Sequence, residues 1–461
     1  MNTDTIKRRT IRRLMNLILQ PSDENLIQMT NVIERLIPKN DAVRDITSSI
    51  RKAFEENRPE LILAKNLFSR LSKDSKDKLI DNFFINAVIL GKQHKNKLTK
   101  KLGIYFPWFF VISPSAKCNL HCTGCYASEY DKNEGLSFEE VDRLLTEAKQ
   151  LGIYFITISG GEPFFWPHLL RIFEKHNDMY FQTYTNGTLI DKDLAKKLAK
   201  LGNVVPAISV EGFENETEFR RGNGVYHKVL QAMDNLKEEG VLFGFSVTAT
   251  RLNSDKIASD EFIDFMIEKG CFIGWYFQYV PIGRKPDLSL MATPEQRNHL
   301  RLRVNEIRNT KPIFLGDFWN DGPYVGGCLS GARRAGYFHI NCNGDVEPCV
   351  FLQFSVDNIR NKSLLEIIQS PFFKAFQEAQ PYRENKNLLT PCALIDNPQV
   401  LREIVKKYNA KPSYPSVENV IYDKEICQFL DNYSQEYRKL ADPVWENGLS
   451  AKYFNWKEKK Y

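Results

Sequence analysis

Between residues 108 and about 310 the chain alternates short apolar runs with helical stretches six times, and few folds accept that pattern. Strands separated by segments long enough to hold a crossover helix form a parallel sheet, because parallel neighbours cannot be joined by a tight turn. The spacing predicts strands over 108–113, 154–159, 180–185, 204–210, 242–250 and 274–280. The first intervening helix carries its own start and stop: Ser137-Phe138-Glu139-Glu140 is a capping box, and Gly152 ends the run behind it. The fold class is therefore α/β. In such sheets ligands bind at the carboxyl ends of strands, where loops and helix N-termini present free N–H groups.

The loop after the first strand holds Cys118-Asn119-Leu120-His121-Cys122-Thr123-Gly124-Cys125. Three thiolates spaced by three and then two residues can close on one metal cluster within a single loop. A closed zinc site wants four N or S ligands, whereas a cubane held by three cysteines keeps one iron free. The alternative is a zinc knuckle completed by His121 or a distant Cys. The pattern CxxxCxxC directly after Trp108-Phe109-Phe110-Val111-Ile112 resembles the signature of radical S-adenosylmethionine (radical SAM) enzymes. The resemblance implies a partial (β/α)6 barrel and a [4Fe–4S] cluster on Cys118, Cys122 and Cys125 whose open iron chelates S-adenosylmethionine. It also implies reductive cleavage of that cofactor to a 5′-deoxyadenosyl radical that takes a hydrogen from an unactivated carbon. One position departs from the family: the residue before the third Cys is often aromatic, but here it is Gly124, and Tyr126 is expected to stand in.

Other motifs fall at the predicted strand ends. Ser159-Gly160-Gly161-Glu162-Pro163 follows the second strand, and paired glycines let a backbone approach a ligand closely. It matches the family's GGEP motif, which implies that Gly160, Gly161 and Glu162 meet the methionine amino group. The third strand ends in Thr185-Asn186-Gly187, making Asn186 a cofactor-binding candidate. The fourth ends in Ser209-Val210-Glu211-Gly212, with Arg220-Arg221-Gly222 downstream. Hydroxyls and carboxylates suit ribose, and a guanidinium forks a carboxylate. By the resemblance Ser209 and Glu211 hold the ribose and Arg221 the cofactor's carboxylate. Thr248 shares a strand face with Ser246 and Thr250, and Pro281 opens a turn that the resemblance places by the adenine.

Past Pro312 a second cysteine set appears: Cys328, Cys342, Cys349 and Cys392, with Cys427 farther on. Asn343-Gly344-Asp345 predicts a type I′ hairpin flanked by Cys342 and Cys349. This resembles the SPASM or twitch extension, which implies an additional iron–sulfur cluster beyond the barrel. The full two-two-five-three cysteine run of a SPASM domain is absent, so one auxiliary [4Fe–4S] cluster is expected. Cys328, Cys349 and Cys392 are the favoured ligands; the fourth is Cys342, Cys427, a substrate or nothing, and a zinc-held hairpin is the alternative. Cys271 reads as a small buried hydrophobe. Asp317 and Asp321, set among aromatics in Phe314-Leu315-Gly316-Asp317-Phe318-Trp319-Asn320-Asp321, are candidates for proton transfer, with an Asx-capped turn as the alternative.

Bulk properties bound the rest. A 461-residue chain that is 43% hydrophobic exceeds one ordinary domain. We divide it into an N-terminal helical region (1–104), the barrel (105–312), an α+β cluster-binding extension (313–400) and a C-terminal helical tail (401–461). Net charge +6 on a 26% charged chain is far from a concentrated basic stripe, so no nucleic acid is expected. Without an 18-residue apolar run or an apolar signal core, and with seven of nine cysteines near metal-like spacings or in regions that could converge, the sequence reads as that of a soluble cytoplasmic protein in a reducing compartment. The basic amphipathic stretch at 6–19 is either a packed helix or a peripheral membrane contact. A reducing partner such as flavodoxin or ferredoxin is expected. For the substrate, analogy with SPASM-type enzymes points to a peptide or protein; the aromatic share of 12% and the basic N-terminus leave a lipid or hydrocarbon as the alternative. A zinc-binding nucleic-acid module would explain the cysteines but neither Gly160-Gly161-Glu162-Pro163 nor the six repeats.

Overall fold

The computed structural model describes residues 22–36 and 42–450. The stretch at 6–19 lies outside them. The predicted strands appear as β1 (Val111–Ile112), β2 (Phe155–Ile158), β3 (Tyr180–Thr185), β4 (Val204–Ser209), β5 (Gly244–Ala249) and β6 (Ile273–Gln278). All six run parallel in sequence order. Their near-continuous burial, as along β3, is what helices on one face and a filled interior on the other require. The capping box forms as read: the Ser137 hydroxyl accepts from Glu140 N at 3.1 Å, and Glu140 Oε2 accepts from Ser137 N at 2.8 Å.

The sheet extends beyond six strands at both edges. On one side β7 (Phe314–Asp317) joins β6 in parallel, and on the other β8 (His339–Ile340) joins β1 in parallel. β9 (Asp345–Glu347) returns antiparallel on β8, and β11 (Asp357–Asn358) pairs with β9. A separate two-stranded pair joins β10 (Phe354–Ser355) to β12 (Lys411–Pro412). The sheet curls: Phe318, just past β7, and Tyr337, just before β8, bring their rings to 5.9 Å. Both added strands were invisible to periodicity because each is too short to show a repeat.

The N-terminal helices, from Asp23–Leu36 to Lys92–Leu102, pack under the amino ends of the strands. Leu71 and Leu79 cluster with Tyr180, Val205, Leu242 and Phe272 at the strand starts. Asn82 Nδ2 donates to Asn177 O and Met179 O at 2.7 and 2.8 Å, satisfying carbonyls ahead of β3. This region closes the barrel floor, opposite the expected site. At the other end, helix Lys424–Val444 lies over a buried Arg297–Asp396 pair, and Tyr437 donates to Asn320 Oδ1 at 3.0 Å. No helix among the described residues is long and apolar enough to cross a membrane.

The turn between β8 and β9 differs from the type I′ reading. Only Gly344 has a positive φ (80°), whereas type I′ needs two such residues. Gly344 N donates to Asn341 O and Asn341 N to Asp345 O, both at 3.0 Å. This is a three-residue loop ending in a left-handed glycine, and it puts Cys342 on the turn corner.

Candidate functional site

The first cysteine loop leaves β1 and is fixed from both sides. Thr123 N donates to Arg220 O at 2.8 Å, and Leu120 N donates to Cys118 Sγ at 3.4 Å. Asn186 Nδ2 donates to Asn119 Oδ1 at 2.9 Å and lies 3.8 Å from Cys118 Sγ. All three thiols line one cavity of about 310 Å³ at the barrel mouth. Burial pushes the Cys118 thiol up to about 11, with Glu162 and the other two thiols adding to the effect; burial raises Cys125 as well. Neutral thiols with inward-turned amide donors suit a cationic cluster, which would take them as thiolates and release their protons. Among the described residues no three His, Cys, Asp or Glu side chains converge closely enough to hold a single metal ion.

The Gly-Gly pair earns its place sterically. A Cβ on Gly161 would lie 2.2 Å from Lys117 O and 2.5 Å from Ala116 O, so only glycine lets this loop touch the one leading to Cys118. Glu162, 1% exposed, turns away from the cavity and serves as a hub. It accepts from Thr185 Oγ1 at 2.6 Å, Asn186 N at 2.7 Å and Phe164 N at 3.2 Å. Burial raises its pKa despite these donors. Through Asn186 and Asn119 the hub reaches the Cys118 loop.

Glu211 is a second hub. Its Oε1 accepts from Arg220 Nη1 at 2.6 Å and from Arg221 Nε and Nη2 at 2.9 and 2.5 Å, and its Oε2 accepts from Thr248 N at 2.9 Å. Burial opposes its ionisation, but the two guanidiniums outweigh that and hold the carboxyl below its usual range. The ribose and carboxylate roles expected of Glu211 and Arg221 are thus overlaid by a mutual ion pair that ties β4, helix Glu214–Arg221 and β5 together. Ser209 and Thr248 face the cavity, and Pro281 lies just beyond Val280, which lines it. Tyr126 also lines it, its hydroxyl 2.7 Å from Ser159 Oγ. Gly124 has a further partner that periodicity did not flag: a Cβ there would meet Tyr279 Cε2 at 2.4 Å, so the Tyr279 ring fills the space over the loop.

The second cysteine set sorts itself by what each sulfur bonds. Cys349 Sγ accepts from Phe351 N at 3.5 Å and Cys392 Sγ from Leu394 N at 3.3 Å, the same amide-two-residues-on arrangement as at Cys118. Cys328 lies near enough to Cys349 and to Cys392 for its charge to raise the pKa of each, which puts three thiols from three distant segments in one neighbourhood. Cys342, also expected as a metal ligand, bonds differently. Its Sγ faces Asp131 O at 3.7 Å and Asn343 Oδ1 at 3.6 Å, acceptors that favour a protonated thiol. Burial together with Glu347, Asp131 and Asp345 pushes it up to about 12. Cys427 likewise faces carbonyls of Asn419 and Val420, and Cys271 is 3% exposed in the core, as expected.

Asp317 and Asp321, the residues expected to transfer protons, do not line the cavity. Asp321 pairs with Arg308 through two contacts of 2.9 and 2.5 Å, and accepts from Asp317 N at 2.9 Å, while Arg308 Nε donates to Leu315 O at 2.9 Å. The pair satisfies the outward-facing groups of edge strand β7 as a neighbouring strand would. Asp317, 1% exposed, accepts from Asn320 N and Nδ2 at 3.2 and 2.7 Å. Burial, with Asp321 nearby, raises it to about 6. The Asx-turn alternative is the one observed.

Below the cysteines the cavity wall is mostly aromatic, including Trp108, Phe155, Trp275, Phe318, Tyr337 and Phe351. Phe351 lies 5.5 Å from Tyr126 and 4.9 Å from Trp319, so one aromatic layer separates the two cysteine groups. Among the described residues the cations on this wall are Arg220 and Arg221, both engaged with Glu211.

Comparison with known proteins agrees with this geometry. The Radical SAM superfamily matches residues 112–259, and the iron–sulfur cluster-binding SPASM domain matches residues 328–394. The chain is 31% identical over 229 residues to the Fe-coproporphyrin III synthase of Methanosarcina barkeri, covering 47% of this chain and 57% of that protein. It is 28% identical over 284 residues to the mycofactocin maturase MftC of Mycolicibacterium smegmatis, covering 58% and 69%. The fold resembles that of SuiB from Streptococcus suis bound to S-adenosylmethionine, with a TM-score of 0.51, 20% identity and coverage of 61% and 70%. The radical SAM domain brings a [4Fe–4S] cluster and S-adenosylmethionine as cofactors, and the SPASM domain brings auxiliary iron–sulfur. Residues 112–259 thus form a radical SAM domain and residues 328–394 a SPASM domain, in a chain that covers 57% of the length of the Fe-coproporphyrin III synthase it matches.

Proposed function

We propose that this enzyme modifies a peptide or protein by taking a hydrogen atom from an uncharged side chain held in the aromatic cavity. Cys118, Cys122 and Cys125 would hold the cluster, with Gly160, Gly161, Asn186, Ser209, Arg221 and Thr248 around the cofactor. With an iron–sulfur cluster and S-adenosylmethionine bound, the site would supply one-electron reductive cleavage of the cofactor's C–S bond and, through it, hydrogen-atom abstraction. The protein's part is to hold the target carbon beside the 5′ position and keep water out. The two hubs at Glu162 and Glu211 fix the loops that surround the cofactor, and the aromatic wall excludes solvent. Cys328, Cys349 and Cys392 would hold one auxiliary cluster. An external one-electron donor of the flavodoxin or ferredoxin type would reduce the enzyme.

The observation that carries the peptide reading is the cavity wall: aromatic, closed by the floor helices, and without a free cation. An apolar side chain presented by a peptide fits it. The likeness to a maturase and the SPASM domain support the same class. Likeness to an Fe-coproporphyrin III synthase favours a tetrapyrrole as the second reading. Tetrapyrrole carboxylates need cations, and those on the wall are already paired, so it ranks below. The test is 5′-deoxyadenosine yield from anaerobically reconstituted enzyme with a strong reductant, comparing a peptide fraction, iron-coproporphyrin and a lipid extract. Stimulation by the peptide fraction, abolished by Cys122→Ala, is the expected result; stimulation by either other arm alone would replace it.

A further inference from the structure

Tyr337 belongs to no motif, yet it touches both functional regions. It is 1% exposed, at the entry to β8, where the sheet closes on itself. Its hydroxyl lies 2.8 Å from Cys349 Sγ. The ring stacks on Phe109 at 5.1 Å and 4° and meets Phe318 edge-on at 5.9 Å and 73°. Its backbone is held as firmly: Tyr337 N donates to Leu329 O at 2.7 Å, and Ala332 N donates to Tyr337 O at 3.0 Å. The phenol therefore cannot swing to another acceptor without breaking the aromatic wall.

A donor aimed at a cysteine sulfur stabilises negative charge on it. Cluster potentials are set in part by hydrogen bonds to sulfur, and reduction adds one negative charge. Phe351 N already donates to Cys349 Sγ, so the phenol is a second donor on the same sulfur. We propose that Tyr337 is a positioning residue whose hydrogen bond to Cys349 raises the reduction potential of the auxiliary cluster. This rests on reading Cys328, Cys349 and Cys392 as that cluster's ligands. Because the same ring lines the cavity, whatever fills the cavity bears on the donor as well.

The experiment is a redox titration, followed by electron paramagnetic resonance, of the full chain with Cys118, Cys122 and Cys125 changed to Ala. Only the auxiliary cluster then remains. Tyr337→Phe is expected to lower its midpoint potential and alter its spectrum, with iron and sulfide per chain unchanged. An unchanged midpoint at full iron content overturns the proposal. Tyr382, also buried, lies near Cys328 and Cys392, so should Tyr337→Phe fail to retain iron, biosynthetic 3-fluorotyrosine in a Tyr382→Phe background provides the second readout. The fluorinated phenol is the stronger donor, so the midpoint should rise; no rise overturns the proposal. Iron and sulfide for only one cluster in the unaltered chain would instead overturn the ligand reading beneath it.

Discussion

The two cysteine groups reach similar sulfur environments by opposite routes. Cys118, Cys122 and Cys125 lie within one loop, and the barrel has only to aim that loop at the strand ends. Cys328, Cys349 and Cys392 come from three segments: the one that closes the sheet, the turn after β9, and the approach to helix Pro398–Lys407. The first group opens onto the cavity, whereas the second is walled from it by Phe351 and Tyr337. A local site costs little chain entropy to assemble and can be rigidified by a few hubs. A dispersed site exists only once the fold around it is complete.

If that contrast holds, substitutions at the two groups should separate cleanly. The largest effect is expected from Cys122→Ala: loss of S-adenosylmethionine cleavage to background, with auxiliary iron retained, read by 5′-deoxyadenosine assay and iron analysis. Cys392→Ala should do the reverse, losing auxiliary iron while retaining some uncoupled cleavage. Retention of full cleavage in Cys122→Ala would collapse the distinction.

Next is Glu211→Ala, which leaves Arg220 and Arg221 buried and unpaired. Breaking a buried ion pair by removing one partner costs about 3–5 kcal/mol, so denaturant titration should show a loss of that size, together with weaker cofactor binding. Asp317→Asn tests the end of β7, from which the chain runs on toward Cys328. The folded-state pKa of Asp317 is raised to about 6, so folding favours its protonated form. Stability from that protonation is full below about pH 4 and is lost as pH rises through 6. The variant should therefore gain about 1–3 kcal/mol at pH 7.5 and nothing at pH 4, measured by denaturant midpoint at each pH. The smallest effect sharpens the ligand list: Cys342→Ala should keep full iron content and change stability by no more than about 1 kcal/mol.

Most of the barrel was legible because its strands repeat at intervals that periodicity detects. β3 was read to the residue, and β4, β5 and β6 to within two at each end. β7 and β8 were not, since a four-residue and a two-residue strand carry no repeat, and β8 pairs with β1 across more than two hundred residues. The capping box at Ser137 was legible for the same reason as the cysteine loop: both are complete within a few residues. Asp317 and Asp321 looked chemical beside aromatics, but their partner Arg308 sits on another element and turns them into an edge cap.

What the sequence determined by itself was whatever short-range geometry suffices to build: the alternation that makes a parallel barrel, the three-cysteine loop, the glycine pair beside it. Only the tertiary structure decided which of the remaining cysteines converge, that Tyr279 fills the space over Gly124, and that Glu211 holds two arginines. It also decided that Tyr337 reaches Cys349. Those outcomes depend on side chains brought together by sheet closure, and closure is a property of the whole packed chain that no local stretch encodes.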